Sequence, residues 1–300
     1  MKKALVTLLD DKYLPGGLIT INSLVNSSPN LDCEIIIFEW GTLSDESKNL
    51  LKKIYKNIIF KSVNKELYNK CKYDEQFRVW TYNCNYRFDI FTLVEYDKII
   101  FFDCDILFNI DIEEVFQKNY KFAACPASKH QVKQINRDVG FEGGLLLIDS
   151  IFLNEKTRDD LIDISLSAPP YDPFVKNGKW ESDEPILNTY FLNKITNFAK
   201  FNWLDEKYNF LTDRLTPKSF RSNKNYQFIG HNKPWYGDSL QEKFDLYVLK
   251  NVEQKNNHFM INVSLSKLLH LYNVEVEKLK KMGIDIFKYT GKIKPIISNE

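Results

Sequence analysis

Short apolar runs alternate along this chain with stretches in which apolar residues recur every three or four positions. Residues 4–9 are a continuous apolar run and read as a buried first strand, and residues 15–25 read as a helix after a Gly-containing turn. Residues 33–38 form a second apolar strand. Ser44 then fits an N-cap, with Leu43 before it and Leu50, Leu51 and Ile54 on one helical face. Residues 57–63 supply a third strand. Residues 82–95 read as a helix, with Tyr86, Ile90 and Leu93 at helical spacing, and feed into a strand that starts at Lys98. This alternation predicts an α/β fold whose central sheet is mostly parallel and covered by helices on both faces.

Past Asp111 the pattern is less regular. Residues 121–125 and 144–148 read as short strands and residues 149–166 as a helix, which Ala168-Pro-Pro-Tyr-Asp-Pro173 breaks. Ser182-Asp183-Glu184-Pro185 opens another helix over 184–191, with Pro185 in the first turn and acidic residues ahead of it. From about residue 239 onward, Lys-, Asn- and Leu-rich segments suggest helices outside the main sheet.

The strand beginning at Lys98 carries the main chemical signal. It ends at Asp103-Cys104-Asp105. Residues i and i+2 of an extended strand point to one side, so the two carboxylates converge where the strand exits. Like charges so placed repel unless a cation lies between them. Hard divalent ions take such oxygen ligands and keep positions open for substrate phosphates. An ordinary Asp-rich turn is equally compatible with the tripeptide alone. The surrounding α/β pattern favours a site, because ligands of such sheets gather beyond the carboxyl ends of strands.

Composition narrows the partners. The 41 basic and 40 acidic residues leave a net charge of +1, which argues against a nucleic-acid coat. Five widely spaced cysteines without a Cys-x-x-Cys pair exclude a zinc ribbon and fit a reducing, cytoplasmic setting. The apolar start is too short for a signal peptide, and no segment is long enough to span a bilayer.

Other segments are individually ambiguous. Gln227-Phe-Ile-Gly-His-Asn-Lys-Pro-Trp235 offers Gly230 for close backbone approach and Lys233 as a charge for phosphate, but alone it reads as a strand, a Gly-Pro turn and a core tryptophan. Arg87 alone is a surface arginine, and Phe141-Glu142-Gly143-Gly144 a glycine turn before a strand. Taken together and in this order, these motifs resemble glycosyltransferase family 8, the family of glycogenin and of lipopolysaccharide galactosyltransferases.

The resemblance runs from about Ala4 to Trp235. It implies a single GT-A fold over residues 1–240, with residues 241–300 as a mostly helical C-terminal extension packed on it. It also implies a UDP-sugar donor, a carbohydrate or glycan acceptor (protein-linked or free), an Mn²⁺ requirement and retention of anomeric configuration; a homodimer is compatible with it. By position, Leu8, Leu9, Asp10 and Tyr13 match the loop that holds uracil and ribose, and Arg87 a basic donor contact. Asp103, Cys104 and Asp105 match the metal motif. Glu142, Gly143 and Gly144 match a segment that approaches the donor sugar. Asp183, Glu184 and Asn188 match Gly-Asp-Gln-x-x-Leu-Asn beside the reacting carbon, which makes Asp183 and Glu184 the catalytic candidates. Tyr208-Asn209 match the end of Leu-Pro-x-x-Tyr-Asn, and Gly230 and Lys233 belong to His-Phe-x-Gly-x-x-Lys-Pro-Trp.

Three departures stand out. Gln227 occupies the position of the third metal ligand, a histidine in the family, which brings Mg²⁺ level with Mn²⁺; His231 is four residues on. Glu142 and Glu184 replace Asn and Gln, and a carboxylate at Glu184 could stabilise or attack an oxocarbenium-like centre. No tyrosine lies between Phe210 and Asn225, so self-glucosylation there is not expected. The expected activity is metal-dependent, retaining transfer of a hexose, glucose or galactose, from a UDP-sugar to an acceptor hydroxyl in α-linkage. Two alternatives are a nucleotide-sugar-binding protein of the same fold with little activity, and a haloacid-dehalogenase-like phosphatase.

Overall fold

Strand and helix periodicities resolve into one seven-stranded sheet with helices on both faces. The structure, a computed structural model, describes residues 1–71, 81–127, 140–169, 175–176, 179–180, 182–195, 201–212, 223–228, 233–235 and 258–290. The strands β1 (Lys3–Leu8), β2 (Glu34–Glu39), β3 (Ile58–Ser62) and β4 (Lys98–Phe102) pair in parallel, with β1 between β2 and β4. After the two-residue β5 (Ile106–Leu107) come β6 (Phe122–Pro126) and β7 (Phe141–Asp149). β7 lies between β4 and β6 and runs antiparallel to both. The outer strand Asn202–Trp203 completes the sheet beside β6.

Alternation along the strands divides the core between the two faces. Leu5, Ile35, Ile37, Ile100 and Phe102 belong to one buried cluster, with residues of the helices Leu14–Ser27 and Asp45–Ile54. Val6, Ile36, Phe38, Ile99 and Phe101 belong to the other, under the Thr81–Thr92 and Glu155–Ser167 segments. Ser44 caps the second helix as predicted, accepting from Ser47 N–H at 3.3 Å.

Three expected elements differ. Residues 81–92 form a 3₁₀ helix and not an α-helix ending at 95. Its buried Asn85, Phe88 and Phe91 recur every three residues, the period at which 3₁₀ side chains eclipse. The helix expected over 149–166 is divided: a 3₁₀ turn Ser150–Phe152 ends, and Asn154 starts an α-helix by accepting from Thr157 N–H at 3.0 Å. The helix expected over 184–191 is an α-turn Asp183–Asn188 that widens into a π-helix Thr189–Ile195. The wider turn accompanies burial of three consecutive side chains, Tyr190, Phe191 and Leu192, with Phe191 stacked on Phe122.

The helix His258–Lys281 shares the first core cluster through Leu268, Tyr272, Val276 and Leu279. Buried Glu275 fastens it to the first helix, accepting from Asn22 Nδ2 at 2.6 Å and Asn26 Nδ2 at 2.8 Å, with Lys278 Nζ at 2.6 Å. No helix among the described residues is long and apolar enough to cross a membrane, and all five cysteines are free. Glu275→Ala strands the Asn22 amide in the core and is expected to lower stability by about 1–3 kcal/mol, read as an earlier urea midpoint. An unchanged midpoint would show that the helix docks without this clamp.

Candidate active site

Two strand ends and one return strand build the site. β4 stops at Phe102, and Asp103 N–H continues the pairing by donating to Gly144 O at 2.9 Å. β7 therefore runs alongside the aspartates. Gly143 and Gly144 lie inside this strand, not in a turn ahead of it. Their lack of side chains has a steric reason: a Cβ on Gly143 would sit 2.5 Å from Arg87 Nη1, and one on Gly144 would overlap the Gln227 amide. From the other side, strand Tyr226–Gln227 pairs antiparallel with β5, setting Gln227 opposite Ile106 and next to Asp105. Residues 120 positions apart in sequence thus meet through one short strand pairing.

The carboxylates sit in a closed charge network. Asp103 accepts from Arg87 Nη2 at 3.1 Å and from Gln227 Nε2 at 2.9 Å. Asp105 accepts from the same Gln227 Nε2 at 3.1 Å and from Lys233 Nζ at 2.5 Å. Lys233, itself buried, also donates to Phe228 O. Arg87 Nε reaches Asp183 at 2.9 Å, and its Nη1 donates to Gly143 O at 3.1 Å. Arg87 is therefore a hub between three backbone segments, where the resemblance made it a donor contact. Burial alone would push its guanidinium down, but Asp183 and Asp103 outweigh that and hold it up. Burial pushes Asp103 up to about 7 against the pull of Arg87, with Asp105 adding to the rise. Burial likewise raises Asp183, opposed by Arg87.

Asp183 and Glu184 open the helix Asp183–Asn188, which Asn188 pins to the start of β7. Its Oδ1 accepts from Phe141 N–H at 2.9 Å and its Nδ2 donates to Phe141 O at 3.1 Å. Glu184 accepts from Gly143 N–H at 3.1 Å, beside the aspartates. Glu142 is buried.

A cleft of about 280 Å³ opens over this network, lined by Leu8, Leu9, Asp10, Tyr13, Arg87, Asp103, Cys104 and Asp105 among others. The structure brings together all four residues expected of the first loop. Asp10 Oδ1 accepts from Tyr13 N–H at 2.9 Å and closes the loop, and burial raises its carboxyl against that bond. Asp11 ties the same loop to the second helix, accepting from Ser44 N–H at 3.1 Å and Ser47 Oγ at 2.6 Å. Cys104 points to the neighbouring strand, its thiol donating to Leu8 O at 2.6 Å. Trp40 and Asn83 line the cleft too and escaped the sequence reading. Trp40 follows β2 at its carboxyl end, and position at a strand exit was the signal available for it. Trp235 is a fully buried core residue edge-on to Phe228, and Gly230 and His231 lie outside the described residues.

Asp103, Asp105 and Gln227 suit a hard divalent cation. Two partly buried carboxylates share one amide donor, and turning that amide would offer a third oxygen. Among the described residues no group of three or more His, Cys, Asp or Glu side chains could hold a metal ion.

A mostly parallel sheet with an antiparallel strand beside paired aspartates is a GT-A type glycosyltransferase architecture. The chain belongs to glycosyl transferase family 8, whose sequence profile matches residues 4–239. It is 24% identical over 262 residues to glycosyltransferase GlyF of Streptococcus pneumoniae serotype 4 (strain ATCC BAA-334 / TIGR4), covering 82% of this chain and 61% of that protein. The chain thus spans about three-fifths of the length of this curated relative. In fold it is similar to galactosyltransferase LgtC in complex with donor and acceptor sugar analogs, with a TM-score of 0.57 at 17% identity over 87% of this chain and 99% of the other. Glycosyltransferase GlyE of Streptococcus pneumoniae TIGR4 gives 0.56 at 19% identity, over 89% and 63% respectively.

Arg87→Ala leaves Asp183 and Asp103 buried without their shared cation. It is expected to cost about 3–5 kcal/mol of stability in denaturant titration, with Arg87→Lys intermediate because an ammonium lacks the guanidinium fork. A loss below about 1 kcal/mol for Arg87→Ala would show that the hub is not structural.

Proposed function

We propose that this chain transfers a hexose, glucose or galactose, from a UDP-sugar to an acceptor hydroxyl in α-linkage with retention, assisted by Mn²⁺ or Mg²⁺. The observation that carries the reading is the convergence of Asp103, Asp105 and Gln227 beside a cleft that the two aspartates line together with Leu8, Leu9, Asp10 and Tyr13. A cation held by these three residues would supply positive charge to the departing diphosphate.

The protein's own groups divide the remaining work. The loop from Leu8 to Tyr13, with Trp40, offers apolar and aromatic surface for a nucleobase and a fixed Asp10 for its sugar. Lys233, buried and 2.5 Å from Asp105, would add a fixed positive charge beside the aspartates for phosphate. Arg87 stays with Asp183 and keeps the β7 backbone against the aspartates. Glu184 and the Gly143 N–H line the approach to the transferred sugar, where a carboxylate favours positive charge developing at the anomeric carbon. The acceptor hydroxyl attacks on the face that the nucleotide leaves. The free cysteines suit a reducing, cytoplasmic setting, and the partners are a UDP-sugar and a glycan acceptor.

Asp103→Asn removes one carboxylate while keeping shape. It is expected to cut cation-dependent UDP-sugar hydrolysis and transfer at least about 100-fold, and chelation with EDTA should silence the wild-type protein. A panel of UDP-sugars with Mn²⁺ and Mg²⁺ measures both. Undiminished turnover in Asp103→Asn would sink the cation-assisted reading, and UDP binding without turnover of any donor would make the protein a sugar-nucleotide binder instead.

A further inference from the structure

Behind the paired aspartates lie two primary amides in contact. Gln227 Nε2 donates forward to Asp103 Oδ2 at 2.9 Å and Asp105 Oδ1 at 3.1 Å. Gln227 Oε1 faces backward and accepts from Asn209 Nδ2 at 2.9 Å. Both side chains are buried, Gln227 at 7% and Asn209 at 1% exposure, so each polar end matters energetically. Yet Asn209 Oδ1 is buried with no hydrogen-bond partner among the described residues. Such orphaned acceptors are uncommon in folded proteins and call for a reason.

An amide has a donor at one end and an acceptor at the other in nearly the same shape. A half-turn about the terminal bond exchanges them without changing volume. The Gln227–Asn209 pair therefore has two self-consistent states. In the first, the one present, Gln227 gives protons to two carboxylates that lack a cation, and Asn209 serves as donor. In the second, both amides are turned: Gln227 Oε1 faces the carboxylates, and Nε2 donates to the now accepting Asn209 Oδ1. Only a partner that both donates and accepts supports both states, and its loss bears harder on the second, whose buried Nε2–H would be left without an acceptor. The backbone of Asn209 is held in either case, because its N–H donates to Glu206 O at 3.2 Å. Gly144 leaves the space against which the Gln227 amide turns.

We propose that Asn209 is a positioning residue for cation binding. A coupled half-turn of the two amides converts Gln227 from a proton donor that clamps Asp103 and Asp105 into an oxygen ligand for a divalent cation. This rests on the cation-assisted reading of the site. In the second state the Asn209 oxygen gains the partner it lacks in the first, and Nδ2 takes its former place. The half-turn explains how glutamine serves where one fixed orientation could satisfy the carboxylates or a cation but not both.

The test is Mn²⁺ affinity of the whole chain without donor, measured by electron paramagnetic resonance of free Mn²⁺ and by calorimetry. Asn209→Ala is expected to raise the Kd about tenfold, in the range for loss of a group that orients a ligand. Gln227→Ala should raise it at least as much, and the double variant should match Gln227→Ala within about twofold, since Asn209 acts only through Gln227. Asn209→Asp keeps the size and can only accept, so it holds Gln227 oxygen-forward and should bind Mn²⁺ at least as tightly as wild type. It also carries the test if the alanine variant does not fold. A wild-type Kd in Asn209→Ala, losses that multiply in the double variant, or a tenfold loss in Asn209→Asp would each overturn the proposal. Absence of Mn²⁺ uptake by the wild-type chain would overturn it together with the cation-assisted reading, whereas normal uptake with an inert Asn209→Ala would overturn this proposal alone.

Discussion

Repulsion between Asp103 and Asp105 is the constraint around which the site is arranged. Both carboxylates follow β4 and meet at one Gln227 amide, and both are only partly exposed to water. Three groups answer the resulting cost: the Arg87 guanidinium at Asp103, the Lys233 ammonium at Asp105, and one Gln227 amide shared by both. Each comes from a different part of the chain, so the charge problem at one strand end binds the 3₁₀ helix, the pairing of β5 with strand Tyr226–Gln227 and the lysine segment into one assembly. Buried charges of this kind contribute less to stability than to defining a single arrangement, because their desolvation offsets much of their attraction.

The antiparallel strand gives that arrangement its precision. In an all-parallel sheet the neighbour of β4 would end level with it and present loops. β7 instead arrives from the far side, so its backbone at Gly143 and Gly144 passes directly beside Asp103. Side chains there would strike Arg87 and Gln227, and the two glycines remove them. Backbone N–H and C=O groups can then be used as site groups: Gly143 O accepts from Arg87, and Gly143 N–H donates to Glu184. Asn188 secures the same strand at Phe141 from the helix that carries Asp183 and Glu184. The separation between the aspartates and the Asp183–Glu184 pair is thereby fixed by strand registry.

Periodicity made the parallel half of the fold legible, since β1 to β4 are apolar runs bounded by turn and cap residues that behave locally. Ser44 is the clearest case, a cap whose partner is three residues away. The second half resisted because its structure answers tertiary demands. Phe191 is buried by stacking on Phe122 across the sheet, and the π-turn around it leaves no three-to-four periodicity to read. Asn85, Phe88 and Phe91 repeat every three residues, a rhythm that an α-helical reading absorbs as noise. The aspartates were visible as a motif, and the glutamine opposite them only through resemblance. Nothing local to residue 227 announces that it meets residue 103, because a two-strand pairing far along the chain makes that contact. Arg87 was found through its motif position, and the geometry adds ion pairs with Asp183 and Asp103 that no local pattern announced.

The substitution at residue 227 changes what the site asks of its surroundings. A neutral imidazole presents one nitrogen lone pair to a metal, and its other nitrogen must donate, so one hydrogen-bonded partner suffices to hold it. A glutamine amide presents either a donor or an acceptor, and unliganded carboxylates select the donor. On the proposed reading, competence for a cation depends on an equilibrium between two orientations, whose position is set by the group behind the amide. As a ligand, the harder amide oxygen would also remove the nitrogen preference that favours Mn²⁺ over Mg²⁺. Ligand identity, cation choice and the burial of Asn209 are therefore one problem, settled by which end of an amide faces two carboxylates.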